Sequence, residues 1–159
     1  MGSRSKCDLA YIAGFLDGDG SLMLQIKKRS DSTRGFRFMA TICLYQDARH
    51  EKPLHWMRDV LGIGYVSRRN DGISELRING FTRVRTILTQ LAPYLRFKRA
   101  QAAAMIRACT LLASKRYALM SDAEVRDLID LTLEMQNENY SAQRKRTRSA
   151  LLTQLGLTP

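Results

Sequence analysis

Two pairs of alternating segments limit the folds that this chain can adopt. In the segment of residues 21–29, every second position is apolar. The same period returns in residues 36–45, after the turn-rich stretch SDSTRG. A second pair, GYVSRR and ISELRI, is separated by Asn-Asp-Gly, which is a strong hairpin signal. Alternation with a period of two is the pattern of a strand with one buried face. The sequence therefore predicts two β-hairpins.

Segments with helical spacing flank the hairpins. We predict a helix over 8–17 that begins with Asp8 as its N-cap and is stopped by Gly18 and Gly20, and a second helix over 48–61. Further helices are predicted in FTRVRTILTQLAPYL, in KRAQAAAMIRACTLLA, after the capping box of SDAE, and in SALLTQL. The order αββαββα, followed by C-terminal helices, predicts an α+β fold in which helices cover one face of a four-stranded antiparallel sheet.

Length and composition fit one globular domain. The chain has 159 residues, of which 45% are hydrophobic, so it can bury a proper core. We expect a single domain over 1–159, with a core of about 8–113 and C-terminal helices over about 121–155. The apolar runs are shorter than the about 20 residues that cross a bilayer, and the N-terminal sequence does not resemble a secretory signal. The three widely spaced cysteines indicate reduced thiols, so we expect an intracellular protein without a membrane partner.

The balance of charge indicates a polyanionic partner. Twenty-six Lys and Arg residues face fifteen Asp and Glu residues, which gives a formal net charge of +11 at pH 7. Nucleic acid is the commonest partner of such a chain, and a ribosome-associated or merely soluble basic protein is the alternative. Basic residues concentrate in 27–37 and near the C-terminus, whereas 122–138 is acidic, so the molecule should have one face for phosphates and another for water.

The outward positions of the predicted sheet carry long polar side chains. A nine-residue strand spans about 30 Å, close to one turn of B-DNA, and a two-stranded ribbon fits the major groove. A solvated face of an ordinary antiparallel sheet is the competing explanation. The candidates for base recognition are Gln25, Lys27, Arg29, Arg37, Arg69, Glu75 and Arg77. The candidates for phosphate contacts are Arg144, Lys145 and Arg146.

Residues 11–20, YIAGFLDGDG, end the first predicted helix with two carboxylates, although the C-terminus of a helix is partially negative. A calcium loop of the EF-hand type would need an acidic ligand at position 28, which is Lys28. A dinucleotide-binding fingerprint would open a helix rather than end one. A C-cap turn explains the glycines but not both acids. A divalent cation would make the acids favourable, and a basic ribbon beside a metal carboxylate suggests a nuclease.

The motif YIAGFLDGDG resembles the signature of the LAGLIDADG homing endonucleases, and the resemblance continues through both hairpins to LTQLAPYLRFKRAQA at 88–102. It implies the single-motif branch, in which a homodimer forms through the helix over 8–18 and a saddle-shaped sheet binds double-stranded DNA. The implied activity is a metal-dependent double-strand break at a long, nearly palindromic site that leaves short 3′ overhangs. The implied cofactor is Mg²⁺ or Mn²⁺, with Ca²⁺ binding without supporting cleavage.

Two points stay open after this resemblance. A non-cleaving relative that acts as an RNA maturase or as a DNA-binding regulator is the alternative function. Family members occur in organelles, either chloroplast or mitochondrion, and in prokaryotic cytoplasm, and the sequence does not choose between these compartments.

The resemblance also implies the metal site and the dimer contact. Asp19 matches the carboxylate that binds metal from each subunit, and the backbone carbonyl of Gly18 is a further ligand. Asp17 matches the first acid of the motif and is expected to tie down the end of the helix. The small residues Ala13 and Gly14 are expected to allow the two helices to approach closely.

Three further residues match catalytic positions. Gln46 corresponds to a glutamine near the metal-bound water, and Lys98 to a basic residue that polarises solvent at the scissile phosphate. In close relatives an arginine follows the glutamine by four residues, but here the position is His50, with Arg49 beside it. His50 is expected either to order water or donate a proton near neutral pH, or to be a surface residue without a role.

Overall fold

The first helix of the protein extends further in both directions than its sequence predicts. A computed structural model describes residues 4–139 and 145–159. Helix α1 runs over Lys6–Asp19, and Ser5 is its N-cap because the Ser5 hydroxyl accepts the N–H of Asp8 at 3.0 Å. The assignment of Asp8 as the cap was therefore wrong, and Asp8 lies in the first turn. Gly18 does not stop the helix either, since the strand begins directly after Asp19 at Gly20.

The two predicted hairpins form one antiparallel sheet, which confirms the α+β fold. Strand β1 (Gly20–Lys28) pairs with β2 (Phe36–Asp47), and β3 (Tyr65–Arg68) pairs with β4 (Ile73–Asn79). Strands β2 and β4 are neighbours, so the strand order is β1-β2-β4-β3. The turn of the second hairpin contains Gly72 with φ +80°, a left-handed conformation that explains the glycine of Asn-Asp-Gly.

Five helices follow in the described part of the chain. A short 3₁₀ turn over Ala48–His50 precedes α2, so the segment predicted as one helix over 48–61 is divided at Glu51. Gly62, which has the left-handed conformation, caps the C-terminal end of helix α2. The capping box predicted at Ser121 is confirmed by reciprocal hydrogen bonds with Glu124. The helices are α2 (Lys52–Leu61), α3 (Phe81–Leu91), α4 (Arg99–Ser114), α5 (Asp122–Asn137) and α6 (Arg148–Gln154).

The helices cover one face of the sheet through two apolar clusters. The first cluster packs α1, α2, α3 and α4 against inward residues of the sheet such as Leu22, Ile42 and Leu76. The second cluster packs Ile26 and Phe38, from the far half of the first hairpin, against α4, α5 and α6. The C-terminal helices therefore support the far end of the long β1–β2 hairpin, while the earlier helices support its near end.

Two further features concern the cysteines and the length of the helices. All three cysteines are free, and Cys43 and Cys109 are buried. Of the helices in 4–139 and 145–159, none combines the length and the apolar character that crossing a membrane requires.

Candidate active site

The end of α1 is fastened to the start of α4 through Asp17. The Asp17 carboxylate accepts the backbone N–H of Arg96 at 2.6 Å and that of Lys98 at 2.9 Å. In return, the Lys98 ammonium donates to the Asp17 carbonyl at 2.6 Å, where it offsets the partial negative charge of the helix end. Asp17 thus has the structural role expected of the first acid of the motif, and Lys98 is held at the same end of α1.

Asp19 is placed differently from Asp17. It is the last residue of α1, its side chain is exposed, and the last turn of the helix contains no basic residue. Gly18 is also exposed, and a Cβ at this position would meet no atom within 4 Å. An exposed carboxylate therefore lies at a helix end where the dipole repels anions and attracts cations.

Gln46 lies at the same end of the sheet. The register pairs Gly20 with Leu44, so Gln46 is two residues beyond the last pair of the β1–β2 ladder, on the side where α1 ends. Its side chain is half-buried, and Oε1 accepts the N–H of Asp47 at 2.8 Å, which orients the amide. The fold therefore brings Asp19, Lys98 and Gln46 to one end of the molecule.

His50 ends the 3₁₀ turn that follows β2, and its side chain is exposed. The turn is capped by Asp47, whose carboxylate accepts the N–H of Arg49 at 2.8 Å and pairs with the Arg49 guanidinium at 2.8 Å. The hydrogen bonds from Arg49 lower the pKa of Asp47 far below its ordinary value. Arg49 is therefore engaged with Asp47, which leaves His50 as the less constrained basic side chain of this turn.

The donors for a cation are few within one chain. In the described ranges, 4–139 and 145–159, no three His, Cys, Asp or Glu side chains come close enough to hold a metal ion together. Asp19 and the Gly18 carbonyl are oxygen donors, which suit a hard cation such as Mg²⁺. Two such donors are fewer than the six or more oxygen ligands that a hard cation takes, so most of its ligands would have to come from outside this pair.

The dimer contact predicted for α1 needs one correction. Ala13 is fully buried in the core of its own chain, so it cannot contact a partner. Gly14 is exposed, and a Cβ there would meet no atom within 4 Å. Ala10 and Gly18 are exposed at helical spacing from Gly14, so the stripe of small residues on the outer face of α1 is Ala10, Gly14 and Gly18.

The open face of the sheet places two cations directly opposite each other. Lys27 on β1 is the cross-strand partner of Arg37 on β2, and both side chains are exposed. Like charges opposite each other destabilise a ladder. Gln25, the next outward residue of β1, is half-buried. An anion bound over this part of the sheet would relieve the repulsion between Lys27 and Arg37.

The centre of the open face is more buried than its alternation suggested. Thr41 is fully buried and donates to Asn79 at 2.8 Å, and burial raises the pKa of the Cys43 thiol. Glu75 is only 7% exposed and pairs with Arg77 at 3.0 Å. The base-reading role of Glu75 stays a prediction, and its carboxylate is occupied in holding the Arg77 guanidinium.

The predicted contacts at the hairpin tips are each paired with an acid. Arg29 follows β1 and pairs with Asp31 at 2.6 Å, whereas Arg69 follows β3 and pairs with Asp71 at 2.7 Å. Both pairs are solvent exposed. Neither arginine is on the strand itself, so each reaches beyond the end of its ladder.

The basic C-terminal segment is only partly described. Arg144 lies outside the described residues, and Lys145 is exposed. The backbone of Arg146 is fixed by the Gln136 amide, which accepts the Arg146 N–H and donates to the Arg146 carbonyl, both at 2.9 Å. The Arg146 guanidinium donates to Gln154 at 3.3 Å. Lys145 and Arg146 thus extend from a fixed point on α5.

Sequence reasoning missed Glu51, which attaches the His50 turn to the second hairpin. The Glu51 carboxylate pairs with Arg68 at 2.6 Å and accepts the Ser74 hydroxyl. These hydrogen bonds, first from Arg68 and then from Ser74, lower the pKa of Glu51 to about 2. A signal existed in the sequence, because Ser74 shares the inward face of β4 with Leu76 and Ile78, where a buried hydroxyl needs a partner.

Comparison with known proteins identifies the family. Residues 12–102 match the family described as LAGLIDADG endonuclease. The chain is 32% identical over 145 residues to DNA endonuclease I-CvuI of Chlorella vulgaris, which covers 90% of each protein. It is 28% identical over 147 residues to DNA endonuclease I-CreI of Chlamydomonas reinhardtii, which covers 92% of this chain and 90% of that protein.

Solved structures agree with this relationship. A crystal structure of I-CvuI in complex with the I-CreI target and Mg matches with a TM-score of 0.78 and 27% identity, over 97% of this chain and 98% of that one. The archaeal intron-encoded I-Vdi141I, complexed with DNA, shares the fold with a TM-score of 0.81 at 19% identity, over 94% and 95% of the two chains. The chain therefore belongs to the LAGLIDADG family of DNA endonucleases.

Proposed function

We propose that this chain is a site-specific homing endonuclease that makes a metal-dependent double-strand break in a long, nearly palindromic DNA target and leaves short 3′ overhangs. The observation that carries the proposal is the exposed Asp19 at the end of α1, from which β1 leads directly into the sheet with the basic open face. Its relatives I-CvuI and I-CreI are DNA endonucleases. We take residues 1–159 as a single endonuclease domain. The compartment of the protein, either an organelle or the prokaryotic cytoplasm, stays a prediction.

The metal is proposed to be Mg²⁺ or Mn²⁺, held by Asp19 and the Gly18 carbonyl, with Ca²⁺ bound unproductively. I-CvuI has been crystallised with Mg and with Ca. When bound, such a cation supplies a nucleophilic water and stabilises the leaving oxygen. The oriented Gln46 amide would position water at this end of the sheet. Lys98 would offset the charge of the scissile phosphate, after exchanging the Asp17 carbonyl for that anion.

The second copy needed to complete the metal site is proposed to dock on α1. The stripe of Ala10, Gly14 and Gly18 permits close approach of a second backbone, as small residues do at tight helix crossings. Beside it Tyr11 is 57% exposed and Trp56 is 39% exposed, with their ring centroids 5.6 Å apart. Exposed aromatic pairs are typical of interfaces, where their burial contributes much of the binding free energy.

DNA recognition is proposed to be divided between the sheet and the C-terminal segment. Gln25, Lys27, Arg37 and Arg77 would read base edges from the strands, and Arg29 and Arg69 from the hairpin tips. Glu75 would act by fixing the Arg77 guanidinium in one orientation. Arg144, Lys145 and Arg146 would contact phosphates. These assignments rest on the side-chain placements of the described residues, and for Arg144 on the sequence alone.

The role of Asp19 is tested by comparing the Asp19→Asn and Asp127→Asn variants, because Asp127 is also an exposed helical aspartate but lies on α5. Targets would be selected from a randomised DNA pool, and cutting and binding measured with Mg²⁺ and with Ca²⁺. We expect Asp19→Asn to lose at least about 100-fold in cutting rate while binding changes little, since the carboxylate acts through the cation.

The Asp127→Asn variant should cut like the parent protein. If Asp19→Asn also cuts like the parent, the proposed metal site is wrong. If the parent binds DNA or intron RNA but cuts no DNA in any metal, the chain is instead a regulator or a maturase.

The dimer is tested by the Gly14→Leu variant, with Ala103→Leu on the exposed side of α4 as its control. Leucine at position 14 has room within its own chain and should even favour the helix by about 1 kcal/mol. It would, however, separate two packed copies of α1. We expect sedimentation to show a dimer for the parent and the control and a monomer for Gly14→Leu; a monomeric parent would refute the proposal.

A further inference from the structure

The tip of the first hairpin is attached to the C-terminal helical layer by Arg34. The Arg34 guanidinium donates a hydrogen bond to the carbonyl of Met120, in the segment before α5. It also lies over the ring of Tyr117, 5.3 Å from the ring centroid. Tyr117 in turn meets Phe38 of β2 edge to face, with centroids 5.2 Å apart and an interplanar angle of 76°. Arg34, Tyr117 and Phe38 form a continuous stack, which we call the tip clamp.

Arg34 differs from the other cations of the same basic run. Lys27 and Arg37 are exposed on the open face, and Arg29 is exposed at the tip, whereas Arg34 is half-buried against the helical layer. Phe38 at the other end of the tip clamp is only 4% exposed. Two independent contacts, one to a carbonyl and one to a ring, therefore direct the Arg34 guanidinium away from the face that carries the exposed cations.

The clamp acts on the half of the hairpin that is farthest from Asp19. Strand β1 begins beside Asp19 at Gly20 and ends at Lys28, which is roughly 26 Å away at about 3.3 Å per residue. That length corresponds to about seven or eight base pairs of B-DNA. A chain that cuts near Asp19 therefore places the far half of the hairpin over the outer base pairs of each half-site.

We propose that Arg34 is a positioning residue for target selectivity. Through Tyr117 it fixes the far half of the β1–β2 hairpin at the angle at which Lys27, Arg29 and Arg37 meet the outer base pairs. This inference rests on the proposed function, because it assigns a role within the same DNA interface. Without the clamp the three cations keep their charge and still attract phosphates, but their reach to particular base edges is no longer fixed.

The first experiment measures selectivity position by position. Binding and cutting of the selected target would be compared with targets that carry each single base-pair substitution, at several salt concentrations. For Arg34→Ala and Tyr117→Ala, we expect discrimination at the outer base pairs to fall at least about fivefold, which is the low end of the usual effect of one mismatch. Discrimination near the cut, and the dependence of affinity on salt, should stay as in the parent.

Two control variants match these changes. Arg126→Ala also removes one charge and one hydrogen bond from an arginine to a backbone carbonyl, but that carbonyl belongs to Thr158 near the C-terminus, at 3.2 Å, and not to the segment that holds the hairpin tip. Tyr117→Phe keeps the ring and removes a hydroxyl that is buried without a partner among the described residues. Both controls should keep the selectivity profile of the parent. The contrary outcome is that Arg34→Ala weakens binding equally for every sequence and lowers by about one the slope of the logarithm of affinity against the logarithm of salt concentration. In that case Arg34 is a phosphate contact and the proposal is wrong.

A second experiment needs no DNA, so the clamp and the proposed function can fail separately. Among the hydrogen bonds that close the tip, the Arg29 N–H donates to the Gly35 carbonyl and the Gly35 N–H to the Ser32 carbonyl, both at 2.9 Å. Arg34→Ala should accelerate hydrogen exchange of these two amides at least about tenfold, while the Arg69 amide at the other tip stays unchanged. Unchanged exchange at Arg29 and Gly35 would refute the clamp, even if the parent cuts DNA.

Discussion

The two aspartates of the motif should have opposite effects when each is removed. Asp17→Ala deletes a carboxylate that accepts two backbone N–H groups, at 2.6 and 2.9 Å. A hydrogen bond to a charged group contributes about 1.5–3 kcal/mol. Both bonds are partly exposed to solvent, so we take about 1–1.5 kcal/mol for each, which gives a loss of about 2–3 kcal/mol in the free energy of unfolding. The bond from Lys98 to the Asp17 carbonyl survives, because it involves the backbone.

Asp19→Ala removes an exposed carboxylate from the C-terminal end of a helix whose last turn contains no basic residue. The free energy of unfolding should be unchanged or should rise by about 0.3–1 kcal/mol, because an anion there opposes the helix dipole. The pair of variants therefore separates stability, which depends on Asp17, from the proposed metal chemistry, which depends on Asp19.

The assay is urea unfolding followed by circular dichroism, with all proteins at one protomer concentration because dimerisation would add to stability. With a slope of about 2 kcal/mol per molar urea, Asp17→Ala should lower the midpoint by about 1–1.5 M without changing the slope. Asp19→Ala should keep the midpoint of the parent or exceed it. The reasoning is refuted if Asp17→Ala unfolds within about 0.2 M of the parent, or if Asp19→Ala loses as much as Asp17→Ala.

Two further predictions concern acid stability and base recognition. The pKa of Glu51 is lowered from 4.5 to about 2, so its contribution to stability is complete above pH 4.5 and is lost as the pH falls toward 2. Glu51→Gln should therefore flatten the decline of the urea midpoint between pH 5 and 2; an identical decline would show that Glu51 does not contribute. Arg77→Ala should relax selectivity at one base pair, whereas Lys145→Ala should weaken binding to all sequences alike and reduce the salt slope by about one. Binding would be measured on a set of targets with single base-pair substitutions. If Lys145→Ala relaxes selectivity at one base pair and Arg77→Ala weakens binding to all targets alike, the two residues have the opposite roles.

Local patterns were sufficient for the elements whose cause is local. The alternation in 21–29 and 36–45 predicted the hairpin because one face of both strands packs on helices. Ser121 and Glu124 predicted a helix start because a capping box involves only neighbouring residues. For the same reason, the DGDG motif predicted a candidate metal site, because the residue types and their position at a helix end can both be recognised from neighbouring residues.

The errors arose where a distant partner decides the outcome. Asp17 at the end of α1 is fixed by backbone groups 79 and 81 residues later, and the local pattern of the helix end does not contain this contact. Glu75 occupies an outward position of β4 but is only 7% exposed between the strands on either side, which no two-strand pattern reveals. Ala13 is as small as its exposed neighbour Gly14, so only the packing of α1 on the sheet shows which of them is free to contact a partner.

The two hairpin tips have a consequence for how the protein searches DNA. Arg29 and Arg69 each pair with an aspartate two residues away, so each of these two ion pairs presents a dipole rather than a net positive charge. Over random sequence such a pair would gain little by approaching the phosphates, because its aspartate is repelled as its arginine is attracted. Over a guanine, the arginine would exchange its carboxylate partner for the O6 and N7 acceptors of the base. If Arg29 and Arg69 read bases as proposed, the two ion pairs would favour rapid passage along the wrong sequence and arrest at the right one, although the chain as a whole carries a charge of +11.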